Sequence, residues 1–119
     1  MRERARTTGL PLVYAHLVGG QDEIVFEGRS FVLAADGSLA GRAVSFEETL
    51  FDIALTRQAA AWNIAATTDR AHSPEADLWH ALVLGVRDYL GKNGFPGAIL
   101  GLSGGIDSAL VLAIAVDAL

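Results

Sequence analysis

The chain has 119 residues, of which 51% are hydrophobic and 19% charged, and its formal net charge is −5. This composition indicates a globular chain and argues against intrinsic disorder and against a basic face that binds nucleic acid. The sequence has no cysteine, which excludes a disulfide, a thiolate zinc site and a cysteine nucleophile within it. The longest apolar run, residues 109–116, is too short to span a bilayer, and Met1–Arg6 is basic without the apolar core of a secretory signal. We therefore expect a cytoplasmic protein that binds neither nucleic acid nor membrane.

The first 55 residues predict a short helix followed by strands. Met1–Thr8 is typical of the charged end of a helix, which Gly9-Leu10-Pro11 terminates. A loop is predicted at residues 19–23, and Asp36-Gly37 is a dipeptide that favours a tight hairpin. The predicted strands cover residues 12–18, 24–26, 29–34, 38–44 and 47–55.

The sequence changes character at residues 56–73, where alanine, threonine and charged residues show no steady period. That stretch predicts a surface linker with at most one helical turn. Ser73-Pro74 then favours the start of a helix, and Lys92-Asn93-Gly94 favours its end. The apolar residues of this helix share one face at helical spacing, and they are Leu78, Leu82, Gly85, Val86, Tyr89 and Leu90.

The stretch that indicates chemistry lies between two apolar segments near the end of the chain. Ala98–Leu102 is uncharged and predicts a parallel strand covered on both faces, and residues 109–116 predict a helix buried all round. Between them, Gly104 and Gly105 lack the Cβ atoms that would hinder a sharp turn or the approach of a ligand.

A helix that begins after such a turn favours an anion at its first amides, which have no partner within the helix. Ser103 and Ser108 offer hydroxyl donors to phosphate oxygens, and Asp107 is placed to hold an accompanying cation. The spacing is not that of a Walker loop, because no lysine follows the glycines. The alternative is a serine-glycine turn that merely joins a strand to a helix.

The run Ser103-Gly104-Gly105-Ile106-Asp107-Ser108 resembles the SGGxDS loop of the ATP pyrophosphatases, which split ATP between its α and β phosphates. This resemblance implies that ATP and Mg²⁺ are the cofactors and that Asp107 holds the Mg²⁺. The implied ATP-binding residues are Gly101, Leu102, Ser103, Gly104, Gly105, Ile106, Asp107 and Ser108.

Residues 11–31 are similar to the last part of a nitrilase-type amidase domain, and more narrowly to the glutamine-dependent NAD synthetase family. His16 and Arg29 depart from that family's pattern, in which we expect an asparagine and a small residue. The resemblance implies an α/β fold: the β-rich end of a nitrilase-type α-β-β-α sandwich at 1–55, a linker at 56–73, and the first helix-strand-loop-helix of a Rossmann-like ATP-pyrophosphatase domain at 74–119.

The resemblance also implies a reaction in two stages. An amidase with a Glu-Lys-Cys triad releases ammonia from glutamine, and the synthetase domain adenylates the carboxylate of deamido-NAD, which ammonia converts to NAD. The triad cannot be assigned here, because there is no cysteine and the single lysine, Lys92, lies in the other half. We expect the triad before Met1, a piece of a longer protein that is inactive alone, and a homo-oligomer at full length.

Other interpretations remain open. One alternative interpretation is a different amidotransferase or adenylating enzyme with the same loop, such as a GMP- or asparagine-synthetase relative. Another is a nucleotide-binding module without turnover. Glu23 is the carboxylate of the amidase-like half to examine, although a solvated loop acid is the simpler interpretation. His72 and His80 have no Cys, Asp or Glu at metal-ligand spacing in the sequence, so we expect ordinary surface or boundary histidines. His16 fits a hydrogen-bonded core histidine, and Glu47-Glu48 fits a solvated strand edge.

Overall fold

The chain forms antiparallel strands over its first half and two helices over its second. The computed structural model describes residues 1–59 and 61–119. The described elements are α1 Arg2–Thr8, β1 Leu12–Tyr14, β2 Val18–Gln21, β3 Ile24–Glu27, β4 Phe31–Leu33, β5 Leu39–Arg42, β6 Ile53–Gln58, β7 Ala61–Ala66, α2 Pro74–Lys92 and α3 Ile106–Ala118. They divide into two units, one of residues 1–17 and 27–71 and the other of residues 18–26 and 72–119.

The first unit is organised by an antiparallel sheet in the order β1-β4-β5. The hairpin predicted at Asp36-Gly37 is confirmed, with the Ala34 amide donating to the Ser38 carbonyl at 2.9 Å. Gly37 has a φ of +80°, and the Asp36 carboxylate accepts from the Ser38 amide and hydroxyl at 2.8 and 2.6 Å. Glycine and a short acceptor therefore set the turn locally. The helix at Arg2–Thr8 and its end at Gly9 are confirmed as well.

The linker predicted at residues 56–73 is wrong in its secondary structure, because β6 and β7 form an antiparallel hairpin there. The strand expected within 47–55 begins only at Ile53. Thr67 continues the pairing into the first sheet, since its carbonyl accepts from the Arg42 amide at 2.9 Å. Gly41 packs so closely on β7 that a Cβ there would lie 2.5 Å from that of Ala66. Exposed and half-buried side chains alternate along β7. The sequence does not predict this strand, because alanine fits a helix, a strand or a loop.

The second unit contains a short hairpin, β2–β3, where the secondary structure differs from the prediction. The strand predicted over residues 12–18 is interrupted at 15–17, and the predicted loop at 19–23 is largely strand, with a turn only at Asp22-Glu23. Helix α2 begins and ends as predicted: the Ser73 hydroxyl accepts from the Ala76 amide at 3.2 Å, and Gly94 follows with a φ of +69°.

The two long helices pack through a small apolar cluster of Val83, Ile114 and Ala118, with Trp79 and Val86 beside it. The Arg87 guanidinium donates to the Asp117 carbonyl at 3.1 Å, so a cation lies at the negative end of α3. The apolar face expected on α2 is largely exposed at its Leu78, Leu82 and Tyr89 side chains.

Two predictions for the last segment are wrong. Ala98–Leu102 is not a strand, and Ile99 is fully exposed. Helix α3 is not buried all round, because the exposed fraction is about half at Leu110 and Val111 and 69% at Val116. A strand needs a neighbour to satisfy its backbone, and none lies beside residues 98–102 among the described residues. No helix that the structure describes is long and apolar enough to cross a membrane.

Candidate functional site

The loop before α3 turns sharply at one residue. Gly104 has a φ of +86°, a left-handed conformation that L side chains rarely adopt, whereas Gly105 has an ordinary φ of −84° with ψ 160°. Gly105 is the N-cap of α3, and the Ala109 amide donates to its carbonyl at 3.2 Å. The geometry of the turn therefore requires glycine at 104 but not at 105.

The predicted hydroxyls are brought together around Gly105. Ser103 Oγ and Ser108 Oγ are 3.1 Å apart, and the Ser108 hydroxyl donates to the Gly105 carbonyl at 2.9 Å. The Gly105 amide points toward Ser103 Oγ at 3.4 Å. These contacts place two hydroxyl groups at the beginning of α3, as the sequence predicted.

The space around the loop is open. Residues 101–107 are exposed and Ser108 is half-buried. A Cβ built on Gly101 or Gly104 meets no atom within 4 Å, and one on Gly105 meets only Ser103 Oγ, at 3.6 Å. Steric crowding within the described chain therefore does not explain Gly105, and the close approach of a ligand there stays a prediction.

The electrostatics at this end of α3 suit an anion and a cation together. The free amides of the first turn and the helix dipole favour negative charge, and the exposed Asp107 is the acidic residue of that turn. Mg²⁺ is usually held by one or two carboxylates together with substrate phosphates. Within residues 1–59 and 61–119 no group of three His, Asp or Glu side chains could hold a metal ion, and a Mg²⁺ at Asp107 stays a prediction.

The other polar residues singled out from the sequence are either exposed or held by contacts within the chain. Glu23 is exposed on the β2–β3 turn. His16 Nδ1 lies 3.0 Å from the Gly28 carbonyl, which confirms a hydrogen-bonded histidine, although it lies outside a strand. His72 Nδ1 lies 3.2 Å from Asp77 Oδ1. Glu47 and Glu48 are exposed, as predicted, but not in a strand.

Arg29 is the more unusual of the two departures from the family pattern. It has a φ of +54°, its Nε donates to Ser45 Oγ at 2.8 Å, and its Nη1 lies 3.6 Å from Glu27 Oε2. Those side-chain bonds hold a conformation that is unfavourable for a non-glycine residue. A cavity of about 480 Å³ in the first unit is lined by Arg29, and also by Tyr14 and His16. No pattern in the sequence predicted this cavity.

Sequence reasoning also missed a polar contact on α2. The Asp88 carboxylate accepts from the Gly20 amide at 2.7 Å and from Lys92 Nζ at 2.9 Å. Lys92 Nζ also donates to the Gly20 carbonyl at 2.6 Å. The hydrogen bond from Lys92 holds the pKa of the Asp88 carboxyl below its ordinary value, and the bond from Gly20 acts in the same direction, against the effect of burial. Only the i,i+4 spacing of Asp88 and Lys92 was visible in the sequence.

Comparison with known proteins gives consistent matches over nearly the whole chain. A family model described as NAD synthase matches residues 78–119. A curated glutamine-dependent NAD(+) synthetase from Rhodobacter capsulatus is 51% identical over 119 residues, which cover 98% of this chain and 21% of that protein. One from Synechocystis is 48% identical, with 97% of this chain and 21% of that protein covered.

A solved structure, described as glutamine-dependent NAD+ synthetase from Acinetobacter baumannii in complex with adenosine diphosphate, superposes with a TM-score of 0.89. It is 45% identical and covers 99% of this chain, which corresponds to 22% of that chain. The chain thus spans about a fifth of the length of the relatives that it matches.

Proposed function

We propose that residues 101–108 bind the phosphates of ATP in the synthetase reaction of the glutamine-dependent NAD(+) synthetase family, to which the chain belongs. The fold supports the proposal as a mixed α/β segment in which antiparallel strands precede two helices. We further propose that residues 1–55 belong to a nitrilase-type amidase domain and that residues 74–119 belong to an ATP-pyrophosphatase domain.

The observation that carries the proposal is the start of α3. A left-handed Gly104, two hydroxyls 3.1 Å apart and open space around the loop provide amide and hydroxyl donors for phosphate oxygens. The relative of known structure was solved with adenosine diphosphate, which shares its adenosine and its α and β phosphates with the ligand proposed here.

The chemistry of the reaction explains why a phosphate loop is needed. A carboxylate is a poor electrophile until one of its oxygens becomes a good leaving group, so the carboxylate of deamido-NAD accepts AMP from ATP and pyrophosphate leaves. Ammonia from glutamine then displaces AMP and gives NAD. Donors from residues 101–108 would stabilise the charge that develops on the leaving pyrophosphate.

Asp107 is the residue that would hold Mg²⁺, because it is an exposed carboxylate in the first turn of α3. When bound, Mg²⁺ would neutralise phosphate charge that develops as the bond between the α phosphorus and its bridging oxygen breaks. The contribution of the chain itself is the placement of hydroxyls, amides and one carboxylate at the same helix end.

The glutamine-hydrolysing stage needs a nucleophile that residues 1–119 do not contain, since the sequence has no cysteine. We therefore expect no NAD synthesis by these residues alone. Deamido-NAD and glutamine are the proposed substrates of the longer enzyme, which we expect to be a homo-oligomer.

The test is a chimera in which this chain replaces the matched segment of the Rhodobacter capsulatus synthetase, with which it shares 51% identity. The chimera should form NAD from deamido-NAD, ATP and ammonia, and Ser103→Ala should weaken its binding of ATP. Ser73→Ala is the matched control, because Ser73 caps α2 and does not belong to the loop. Equal ATP affinity in the Ser103→Ala and Ser73→Ala chimeras would contradict the proposal.

A further inference from the structure

One close contact joins a segment of amidase-like sequence to a helix of the NAD synthase match. Residues 18–26 lie within the amidase-like run 11–31, yet they belong to the second structural unit. Helix α2, against which β2 packs, lies almost entirely within residues 78–119. The contact therefore joins two parts of the sequence to which the family assigns different reactions.

The contact consists of backbone held by an ion pair. Asp88 Oδ2 accepts from the Gly20 amide at 2.7 Å, and Lys92 Nζ donates to the Gly20 carbonyl at 2.6 Å and to Asp88 at 2.9 Å. Both polar backbone groups of Gly20 are thus bound by side chains one helical turn apart. Hydrogen bonds to charged groups are shorter and stronger than those between neutral groups.

Glycine on both sides allows the approach. A Cβ on Gly20 would lie 3.3 Å from the Gly85 Cα and from the Asp88 Cβ, and a Cβ on Gly85 would lie 3.3 Å from Val25 Cγ2. Gly20 is itself buried. A Cβ at either glycine would require these neighbouring atoms to move by a few tenths of an ångström, so the close packing depends on residues of both elements.

The same helix is bonded to α3, at whose start the phosphate loop lies. Arg87, next to Asp88 in sequence, donates to the Asp117 carbonyl at 3.1 Å, and Trp79 Nε1 donates to Asp117 Oδ2 at 2.9 Å. A continuous series of polar and apolar contacts therefore connects β2, α2 and α3 within the second unit. Contacts of this kind can carry energetic coupling between sites when the elements that they join have two discrete arrangements.

We propose that Asp88 is a positioning residue that couples glutamine hydrolysis to NAD formation, through its bonds to Gly20 and Lys92. The inference rests on the proposed function, because it requires both reactions in one enzyme. With the contact made, the hairpin and α2 move together. With it broken, ammonia release continues without being matched to the state of the synthetase site.

The experiment compares two activities in the chimera defined above. The first is NAD formation from added ammonia, and the second is the amount of glutamine hydrolysed per NAD formed. Asp88→Ala should raise the glutamine used per NAD by about fivefold or more, the lower end of ordinary coupling energies. The rate of NAD formation from added ammonia should be little changed, because Asp88 lies outside residues 101–108. Asp88→Asn retains an acceptor for the Gly20 amide and should restore part of the coupling.

The control is Asp77→Asn, which removes another carboxylate from α2 that contacts His72 rather than the hairpin. It should leave the ratio unchanged. If Asp88→Ala lowers the ammonia and glutamine reactions in parallel, or alters neither, the coupling role is overturned. If Asp88→Ala abolishes folding, the same two activities measured in Lys92→Met and Gly20→Ala test the coupling role instead. A chimera with Asp88 intact that forms no NAD from ammonia overturns the proposed function, and the coupling role with it.

Discussion

Substitution of Gly104 by alanine tests whether the left-handed turn is used for binding. Gly104 has a φ of +86°, and a Cβ there meets no atom within 4 Å, so the cost of alanine comes from the backbone alone. A left-handed L residue costs about 1–2 kcal/mol. The loop is exposed, so in the free protein the variant can relax to another conformation and must be strained again when the phosphates bind.

A cost of 1–2 kcal/mol paid on binding corresponds to a rise of about 5–30-fold in the Kd for ATP. Isothermal titration of ATP into the chimera measures this change. The matched control is Gly94→Ala, since Gly94 also has a left-handed φ of +69° and open space around its Cβ but ends α2 outside the loop. Gly94→Ala should lower stability and leave ATP affinity within about twofold. Equal ATP affinity in the two variants would refute the reasoning.

Four further predictions follow from the described contacts. Ser108→Ala removes the hydroxyl that donates to the Gly105 carbonyl at 2.9 Å. The loss of one hydrogen bond, worth about 1 kcal/mol, should raise the Kd for ATP by roughly fivefold in the same titration. An unchanged Kd would contradict a role for this hydroxyl. Asp107→Asn should raise the Mg²⁺ concentration needed for half-maximal NAD formation by the chimera, measured by Mg²⁺ titration, and an unshifted curve would remove Asp107 from the metal site. The pKa of Asp88 is lowered in the folded protein, so its contribution to stability is present above the unfolded pKa of about 3.9 and is lost as the pH falls through the lower folded value. The NMR chemical shift of the Gly20 amide should therefore titrate with a midpoint below about 3.9. A midpoint at or above that value would show that the ion pair does not hold Gly20. The 119-residue chain should release no glutamate from glutamine, because it has no cysteine, whereas the chimera should release it; glutamate formation by the chain alone would show that another nucleophile is present.

Helix ends and tight turns were predictable because their causes are local. The Ser73 hydroxyl that caps α2, the left-handed Gly9 and the Asp36-Gly37 turn each depend on residues within a few positions of one another. The same holds for the turn at Gly104. In these places the side chain or its absence determines the backbone conformation, whatever surrounds it.

Strands and buried faces were predicted less well because their partners are distant in sequence. Residues 61–66 pair with 53–58 and lie beside β5, but a strand rich in alanine has no distinctive pattern. The exposed Leu78 and Leu82 on α2, and the exposed side chains of α3, follow the same rule. Periodicity shows that a face is apolar, and only a packed neighbour makes it buried.

The sequence by itself determined the turn before α3 and predicted phosphate binding there, since the residues from Ser103 to Ser108 contain the glycine that shapes the turn and the hydroxyls and carboxylate on which the proposed chemistry depends. Only the tertiary structure decided that residues 18–26 pack on α2. The bonds of Gly20 to Asp88 and Lys92 join residues 68 and 72 positions apart. Contacts over such separations leave no spacing in the sequence, because they depend on how the intervening chain folds back.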